Sequence, residues 1–234
     1  PRGGALRVCS NVPKHPAAGP AVSAPGSSAA GYLAALGSAA VAAAVGASAG
    51  RRRAPRARGA ASVVPLEAKV GDAVPSIGLD KGFPPEQVNL ADYCKGKKVV
   101  LVGLPGAFTP TLSSTQVPGY LAKQDDLKAK GVSDVLVYCV NDGAVMTAWA
   151  QDQGVEGSII TFLGDPRSEL TKALDLVLDH PGPMSVLGNP RCKRFSMLID
   201  DGVIKTLNVA ASDDDPAGDD NPTISLVEKM LEDL

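Results

Sequence analysis

The first 66 residues contain no aspartate or glutamate, although the whole chain of 234 residues holds 25 acids and 23 lysines and arginines. Eight of the bases lie in this acid-free segment, and the first acid is Glu67. Residues 67–234 therefore carry the other 15 bases and all 25 acids, which makes an acidic body behind a basic leader. Phosphate contacts need clustered lysine and arginine, so an acidic body argues against a nucleic-acid partner.

Cysteine and histidine are also scarce. The four cysteines are Cys9, Cys94, Cys139 and Cys192. They are too few for a disulfide scaffold, and no two of them have Cys-x-x-Cys spacing. With only two histidines a zinc site is not expected, and we predict no metal and no cofactor. The acid-rich stretch 212–221 lacks the spaced ligands and the closing glutamate of a calcium loop, so we predict a solvated loop there.

The leader, residues 1–66, is rich in alanine, glycine, proline and serine and has one aromatic residue, Tyr32. Such a composition cannot bury enough bulky apolar surface to offset the chain entropy that folding removes. Scattered arginine and serine without acids are typical of an organelle transit peptide, so we predict a disordered or cleaved targeting segment. Two alternatives stay open. One is an Ala-rich transmembrane helix over 29–50, and the other is a disordered tail that carries no targeting signal.

Residues 67–234 alternate between short apolar runs and amphipathic stretches, which predicts strands separated by covering helices. Strands are predicted over 98–104, 135–140 and 158–163, helices over 113–130, 144–153, 168–178 and 224–234, and a helix break at 181–183. A hairpin is predicted from 194–199 and 203–209 around Asp201-Gly202. Strand–helix alternation implies parallel strands, and the hairpin adds an antiparallel edge. We therefore predict an α/β domain of thioredoxin type with a central mixed sheet flanked by helices.

The stretch from Pro105 to Ser113 lies where a predicted buried strand ends and a helix begins. In open α/β sheets, ligands and reactive groups collect at this edge. Free backbone N–H groups and the positive end of the helix dipole favour an anion there. A cysteine in the first helical turn would have a lowered pKa and would react as the thiolate. The sequence has no cysteine in this stretch.

Several motifs of the body occur together in one order that resembles the type II (atypical 2-Cys) peroxiredoxins of plant and algal organelles. The shared motifs are Val70-Gly71-Asp72-x-x-Pro75, Pro105-Gly106-Ala107-Phe108-Thr109-Pro110, Val117-Pro118-Gly119-Tyr120, Val140-Asn141-Asp142, Lys193-Arg194-Phe195-Ser196-Met197, Asp201-Gly202-Val203 and Leu207-Asn208-Val209. The resemblance covers about residues 69–234. It implies a thioredoxin-fold enzyme that reduces hydrogen peroxide and alkyl hydroperoxides with glutaredoxin, thioredoxin or glutathione as the thiol partner.

In that family a peroxidatic cysteine attacks the O–O bond of the peroxide and becomes a sulfenic acid. The resemblance implies that Pro105 shields this cysteine, that Thr109 hydrogen-bonds the peroxide and that Arg194 holds the thiolate. The cysteine itself falls at position 112, where this chain has Leu112. Leucine has no nucleophilic atom, so we predict that the family reaction is lost or impaired while the other pocket positions are retained.

Two further departures accompany this one. Position 116 is often histidine in the family and is Gln116 here. Plant members tend to have Pro-Phe where this chain has Gly143-Ala144, near the contact through which the family dimerises. The second departure predicts a looser dimer contact.

Two other cysteines are candidates for a replacement redox thiol. Cys139 lies two residues after the position of the resolving cysteine in plant-like members and faces the same side of its strand. Its alternative interpretation is a small buried apolar residue. Cys192 lies between Arg191 and Lys193 in a predicted loop, where it would be exposed and activated by the neighbouring charges. Its alternative interpretation is an incidental surface cysteine.

Three functional hypotheses remain open from the sequence. The first is an impaired family member that still binds a small hydroperoxide or carboxylate, or that partners active paralogues. The second is an active thiol peroxidase that uses Cys139 or Cys192. The third is a purely structural subunit of a homodimer or of a heterodimer with paralogues. The plant-like resemblance and the Ala- and Ser-rich leader favour the plastid, with the mitochondrion as the alternative, or the cytoplasm if the leader is not a signal.

Overall fold

The computed structural model describes residues 68–234, so the leader and the predictions made for it lie outside the described residues. The strands are β1 Gly78–Lys81, β2 Glu86–Asn89, β3 Lys98–Leu104, β4 Asp134–Cys139, β5 Ile160–Gly164, β6 Val177–Leu178, β7 Arg191–Cys192, β8 Phe195–Asp200 and β9 Val203–Val209. The helices are α1 Leu90–Tyr93, α2 Val117–Ala122, α3 Gln124–Ala129, α4 Gly143–Asp152, α5 Glu169–Ala173, α6 Pro181–Leu187 and α7 Val227–Asp233. A π-helical turn spans Leu112–Gln116, and a 3₁₀ turn spans Pro222–Ser225.

Seven of the strands form one mixed sheet in the order β2-β1-β5-β4-β3-β8-β9. The three central strands β5, β4 and β3 are parallel, whereas β8 and β9 on one side and β1 and β2 on the other are antiparallel. Parallel neighbours need crossover connections, and helices supply them here. The thioredoxin-like α/β fold and the antiparallel hairpin at 195–209 are confirmed.

The central strands separate two apolar cores because successive side chains of a strand point to opposite faces of the sheet. Val100, Val102 and Leu104 of β3 lie in the core beneath α2, α4 and α7. Val99 and Leu101 face the other core, which α1 and α5 cover. Both faces of β3 are buried, which explains its uninterrupted apolar sequence.

The single helix predicted over 113–130 is wrong in detail, because the segment divides into the π-helical turn, α2 and α3. Pro118 lies in the first turn of α2, and proline has no N–H to donate to the preceding turn. The helix predicted over 168–178 is also shorter than expected. It ends at Ala173, Asp175 has a positive φ of 56°, and Val177–Leu178 forms a strand instead.

The predicted break at 181–183 is wrong as well, since Pro181 opens helix α6. Proline is tolerated in a first helical turn, where its missing N–H would have no helical partner. The side chain of His180 completes the start by accepting from the backbone N–H of Gly182 at 3.2 Å. The same proline-rich stretch therefore begins a helix and does not interrupt one.

The outer strand β9 is covered at one end by the backbone of residues 71–74. Gly71 N donates to Ile204 O at 2.8 Å, Ile204 N donates to Asp72 O at 2.9 Å, and Val74 N donates to Gly202 O at 2.9 Å. Ala73 forms an antiparallel bridge with Val203. The first described residues are thus fixed to the sheet edge. None of the helices in residues 68–234 has the length and apolar character needed to cross a bilayer.

Candidate active site

The loop that follows β3 is held by its own hydrogen bonds and by the end of the neighbouring strand. Pro105 is buried, and Ala107 N donates to the side-chain Oδ1 of Asn141 at 3.2 Å. The hydroxyl of Thr109 donates to the carbonyl of Gly106 at 3.0 Å. The structure therefore places Pro105 and Thr109 together in one ordered loop at the carboxyl end of β3, as the sequence predicts.

Leu112 is the first residue of the π-helical turn, and its side chain points into the core with only 1% of its surface exposed. It belongs to the same apolar cluster as Val117, Tyr120 and Trp149. The position at which the resemblance expects a reactive sulfur therefore carries a packed hydrocarbon.

Trp149 of α4 anchors the start of the π-helical turn. Its indole Nε1 donates to Ser113 Oγ at 3.0 Å, and its ring stacks on Phe162 with ring centroids 4.9 Å apart. Phe108 of the loop lies 6.3 Å from the same indole, centroid to centroid. Phe108 has a positive φ of 61°, a strained value for a bulky residue, and it is half exposed. The buried indole of Trp149 thus contacts the loop through Phe108, the π-helical turn through Ser113 and the sheet through Phe162.

A buried polar network surrounds Gln116, the last residue of the π-helical turn that begins at Leu112. The Gln116 side chain is buried, and its Nε2 donates to Ser225 O at 3.0 Å and to Ser225 Oγ at 3.2 Å. The Tyr120 hydroxyl donates to the same carbonyl at 3.1 Å. Buried polar groups are costly unless they are hydrogen-bonded, and here each one has a partner. Gln116 therefore acts as a structural bridge to the 3₁₀ turn, at the position where the resemblance often has histidine.

Arg194 lies between β7 and β8 and is fully buried. Its Nη1 donates to Gln116 Oε1 at 2.8 Å, and its Nη2 forms an ion pair with Asp219. Burial lowers the pKa of the guanidinium, and the charge of Asp219 opposes that shift. Because Gln116 bonds both Arg194 and Ser225, the structure connects Arg194 to the turn that begins at Leu112. The hydrogen bond found for the Thr109 side chain, in contrast, stays inside its own loop.

The acid-rich stretch 212–221 is more organised than the predicted solvated loop. Asp215 Oδ1 accepts from Asp219 N at 3.0 Å, and its Oδ2 accepts from Asp220 N at 2.9 Å. Asp219 lies in an exposed loop as predicted, but its carboxylate also forms an ion pair with the buried Arg194. The sequence Asp215-Pro216-Ala217-Gly218 carries the turn signal, but no local signal shows that Asp219 faces a cation 25 residues away.

Asp215 is expected to make the stability of the protein depend on pH in the acid range. Desolvation would raise the pKa of its carboxyl group, but the backbone donors outweigh it and lower the pKa below the ordinary value of about 3.9. A depressed native pKa stabilises the fold above the unfolded pKa, and this contribution disappears as the pH falls through the native value.

In urea unfolding, Asp215→Asn should therefore be less stable than wild type at pH 7, and the difference should shrink between about pH 4 and pH 2. Asp214→Asn is the matched control, because that carboxylate takes none of these bonds. A difference that stays constant with pH, or that Asp214→Asn reproduces, contradicts this assignment.

The three cysteines of the described chain are free and buried, which changes the expectation for Cys192. It lies in strand β7 and not in a loop, so the prediction of an exposed, activated thiol is wrong. Burial raises its pKa to about 12, and its sulfur contacts the Tyr138 hydroxyl at 3.0 Å. Burial also raises the pKa of Cys139 well above its usual value. Cys139 lies in the same core as Leu112, and Cys192 in the core on the other face of the sheet.

Among residues 68–234, no three histidine, cysteine, aspartate or glutamate side chains are grouped so that they could hold a metal ion. Arg191 is the other cation close to the loop. Its Nη1 donates to Asn141 Oδ1 at 3.1 Å and to Val140 O at 3.2 Å. Since Asn141 Oδ1 also accepts from Ala107 N, Arg191 fixes the loop indirectly through a shared acceptor.

Comparison with known proteins shows the family to which the chain belongs. A family model described as Redoxin matches residues 69–224. The chain is 39% identical over 153 residues to the chloroplastic peroxiredoxin-2E-2 of Oryza sativa, a match that covers 64% of this chain and 68% of that protein. The chain belongs to the peroxiredoxin family. Peroxiredoxin-2C of the same species is 42% identical over 144 residues, which covers 60% of this peroxiredoxin chain and 86% of that one.

Solved peroxiredoxin structures agree with the fold. Reduced Prx3 from Vibrio vulnificus in complex with H₂O₂ superimposes with a TM-score of 0.63 and 38% identity, over 70% of this chain and 94% of that one. Peroxiredoxin 5 from Alvinella pompejana superimposes with a TM-score of 0.56 and 33% identity, over 64% of this chain and 93% of that one. The residues matched by the family model, 69–224, all belong to the acidic body of this peroxiredoxin.

Proposed function

We propose that this peroxiredoxin-family protein lacks thiol peroxidase activity through position 112 while it retains the pocket residues Pro105, Thr109 and Arg194. The observation that carries the proposal is Leu112, which is buried in the core at the position where the type II resemblance expects the peroxidatic cysteine. Peroxide reduction by the family route needs a sulfur that can accept an oxygen atom, and leucine has none.

Rescue of the activity by another cysteine is the weaker alternative. The thiolate is the nucleophile in this chemistry, and Cys139 and Cys192 are both fully buried with raised pKa values. Thiols of this kind stay protonated at neutral pH and out of reach of a peroxide in solvent. This argument favours the interpretation of both residues as core packing.

A peroxide-consumption assay on the full chain tests the proposal, with glutaredoxin or thioredoxin and their reductants supplied. We expect wild type to consume hydrogen peroxide at the rate of the protein-free control. Leu112→Cys should gain a consumption that depends on the thiol partner, because it returns a sulfur to a retained pocket. The same variant with Arg194→Met should lose that gain, because no cation then holds the thiolate.

Two results would contradict the proposal. Catalytic turnover by wild type that disappears in Cys139→Ser or in Cys192→Ser would establish the alternative thiol peroxidase. A folded Leu112→Cys variant without activity would show that the retained pocket is not competent. Circular dichroism of each variant separates loss of activity from loss of fold.

We also propose a partner role in the plastid. Phe83 and Phe108 expose 74% and 51% of their surfaces, and we assign them to the contact with the partner. The acid-free leader and the chloroplastic relatives from Oryza sativa and Arabidopsis thaliana support localisation in the plastid. Light scattering should find a homodimer, or a heterodimer once an active relative is added. A monomer under both conditions, or a fluorescent fusion that stays in the cytoplasm, would contradict the corresponding part.

A further inference from the structure

The buried guanidinium of Arg194 is paired with a carboxylate that lies at the protein surface. The Arg194 side chain has 0% of its surface exposed, whereas 56% of the Asp219 side chain is exposed. The other group that contacts the guanidinium is the uncharged side chain of Gln116. A buried cation requires a counter-charge, and Asp219 supplies it from the solvent side.

Hydrogen bonds within the loop hold the backbone in the conformation that brings Asp219 to Arg194. Asp215 accepts from the backbone N–H groups of Asp219 and Asp220, and its own N–H donates to Ser212 Oγ at 3.1 Å. Gly218 has a positive φ of 71°, and a Cβ on it would lie 2.9 Å from that of Ala210. Only glycine fits this passage, so the backbone immediately before Asp219 is fixed in place.

The pairing leaves part of the arginine unused. Asp219 meets Nη2 with one oxygen, Oδ1, and within the described residues Arg194 Nε is buried without a hydrogen-bond partner. Nε and Nη2 lie on one edge of the planar guanidinium, and this edge can receive both oxygens of a carboxylate in parallel. Asp219 therefore binds only one of the two donors on this edge of the guanidinium.

We propose that Asp219 is an intramolecular carboxylate ligand that occupies the anion site of Arg194 and closes it to small anions from solvent. The loop 212–221, organised by Asp215, holds this ligand in place. Because the carboxylate lies on the solvent side of a buried cation, its removal opens a space for a carboxylate of similar size. A small monocarboxylate such as acetate then fits both the charge and the two donors.

Thermal unfolding of the full chain tests the proposal by chemical rescue with acetate. Asp219→Ala should lower Tm by about 5 °C or more, because it removes the carboxylate that is paired with a buried cation and leaves only the charge of Asp215 nearby. Acetate at 100 mM, compared with chloride at equal pH and ionic strength, should recover roughly half of that loss. Wild type should gain nothing, because its site is already occupied. Asp220→Ala is the matched control and should neither lose stability nor respond to acetate.

A second variant keeps the test decisive if Asp219→Ala folds poorly. Asp219→Asn keeps the size of the side chain and removes its charge, and the NMR signal of the Arg194 Nε–H should shift with added acetate in this variant and not in wild type. Equal responses of wild type and variant to acetate, or an Asp219→Ala protein as stable as wild type, would overturn the proposal. The measurements use neither peroxide nor thiol, so their outcome is independent of the proposed loss of peroxidase activity.

Discussion

Replacing Trp149 by alanine is expected to lower the free energy of unfolding by about 4 kcal/mol, the size typical of a buried tryptophan. The side chain is fully buried, stacks on Phe162 and lies in the core beneath the sheet. Its removal leaves a cavity and also frees Ser113, to which the indole N–H donates. Urea unfolding followed by circular dichroism measures the change.

Trp149→Phe separates packing from the hydrogen bond. It keeps an aromatic ring against Phe162 and loses the indole donor, so we expect a loss of only about 1.5 kcal/mol. Ser113→Ala should cost about as much, because it leaves a buried N–H without an acceptor. If Trp149→Ala costs less than about 1 kcal/mol, α4 is not the anchor of the π-helical turn.

Replacing Leu112 by alanine is expected to cost about 3 kcal/mol, within the range measured for buried leucines. Leu112 is buried among Val117, Tyr120 and Trp149, and alanine would leave a cavity between them. The same unfolding experiment applies. A large cost would mean that the position now contributes to stability through packing, where the resemblance expects chemistry.

Two controls define this result. Leu112→Met conserves volume and should lose less than about 1.5 kcal/mol. Leu121→Ala, at a partly buried position of α2, should lose less than Leu112→Ala. A Leu112→Ala loss no greater than that of Leu121→Ala would contradict the packing role. Leu112→Cys is also smaller than leucine, so the peroxidase assay must be run where that variant is shown to be folded.

The central strands could be predicted because burial on both faces requires continuous apolar sequence, as in Lys98–Leu104 and Asp134–Cys139. The hairpin β1–β2 was missed for the opposite reason. Its strands Gly78–Lys81 and Glu86–Asn89 have four residues each and hold polar side chains, so neither shows a periodic apolar pattern. Helix α6 is not predicted because proline also follows helix ends, whereas Pro181 lies at the start of this helix.

The resemblance assigns Pro105, Thr109, Leu112 and Arg194 to the candidate site by position, and that assignment stays a prediction. Asp219 was not predicted, because its partner lies 25 residues away in sequence and only the folded loop brings them together. Cys192 was placed in a loop because its charged neighbours suggested exposure, whereas pairing with Val177 places it in a strand and buries it.

The backbone cover that residues 71–74 give to β9 has a consequence for how far the chain can be shortened. An unpaired strand edge can recruit a strand from another molecule, and such pairing leads to aggregation. A chain that began at Ala68 would keep the cover intact, because the hydrogen bonds from Gly71 and Val74 would remain. Removal of the residues up to and including Val74 would take these hydrogen bonds from Gly202 and Ile204. The described domain therefore keeps this edge covered when the chain is shortened to Ala68, and exposes it when the chain is shortened beyond Val74.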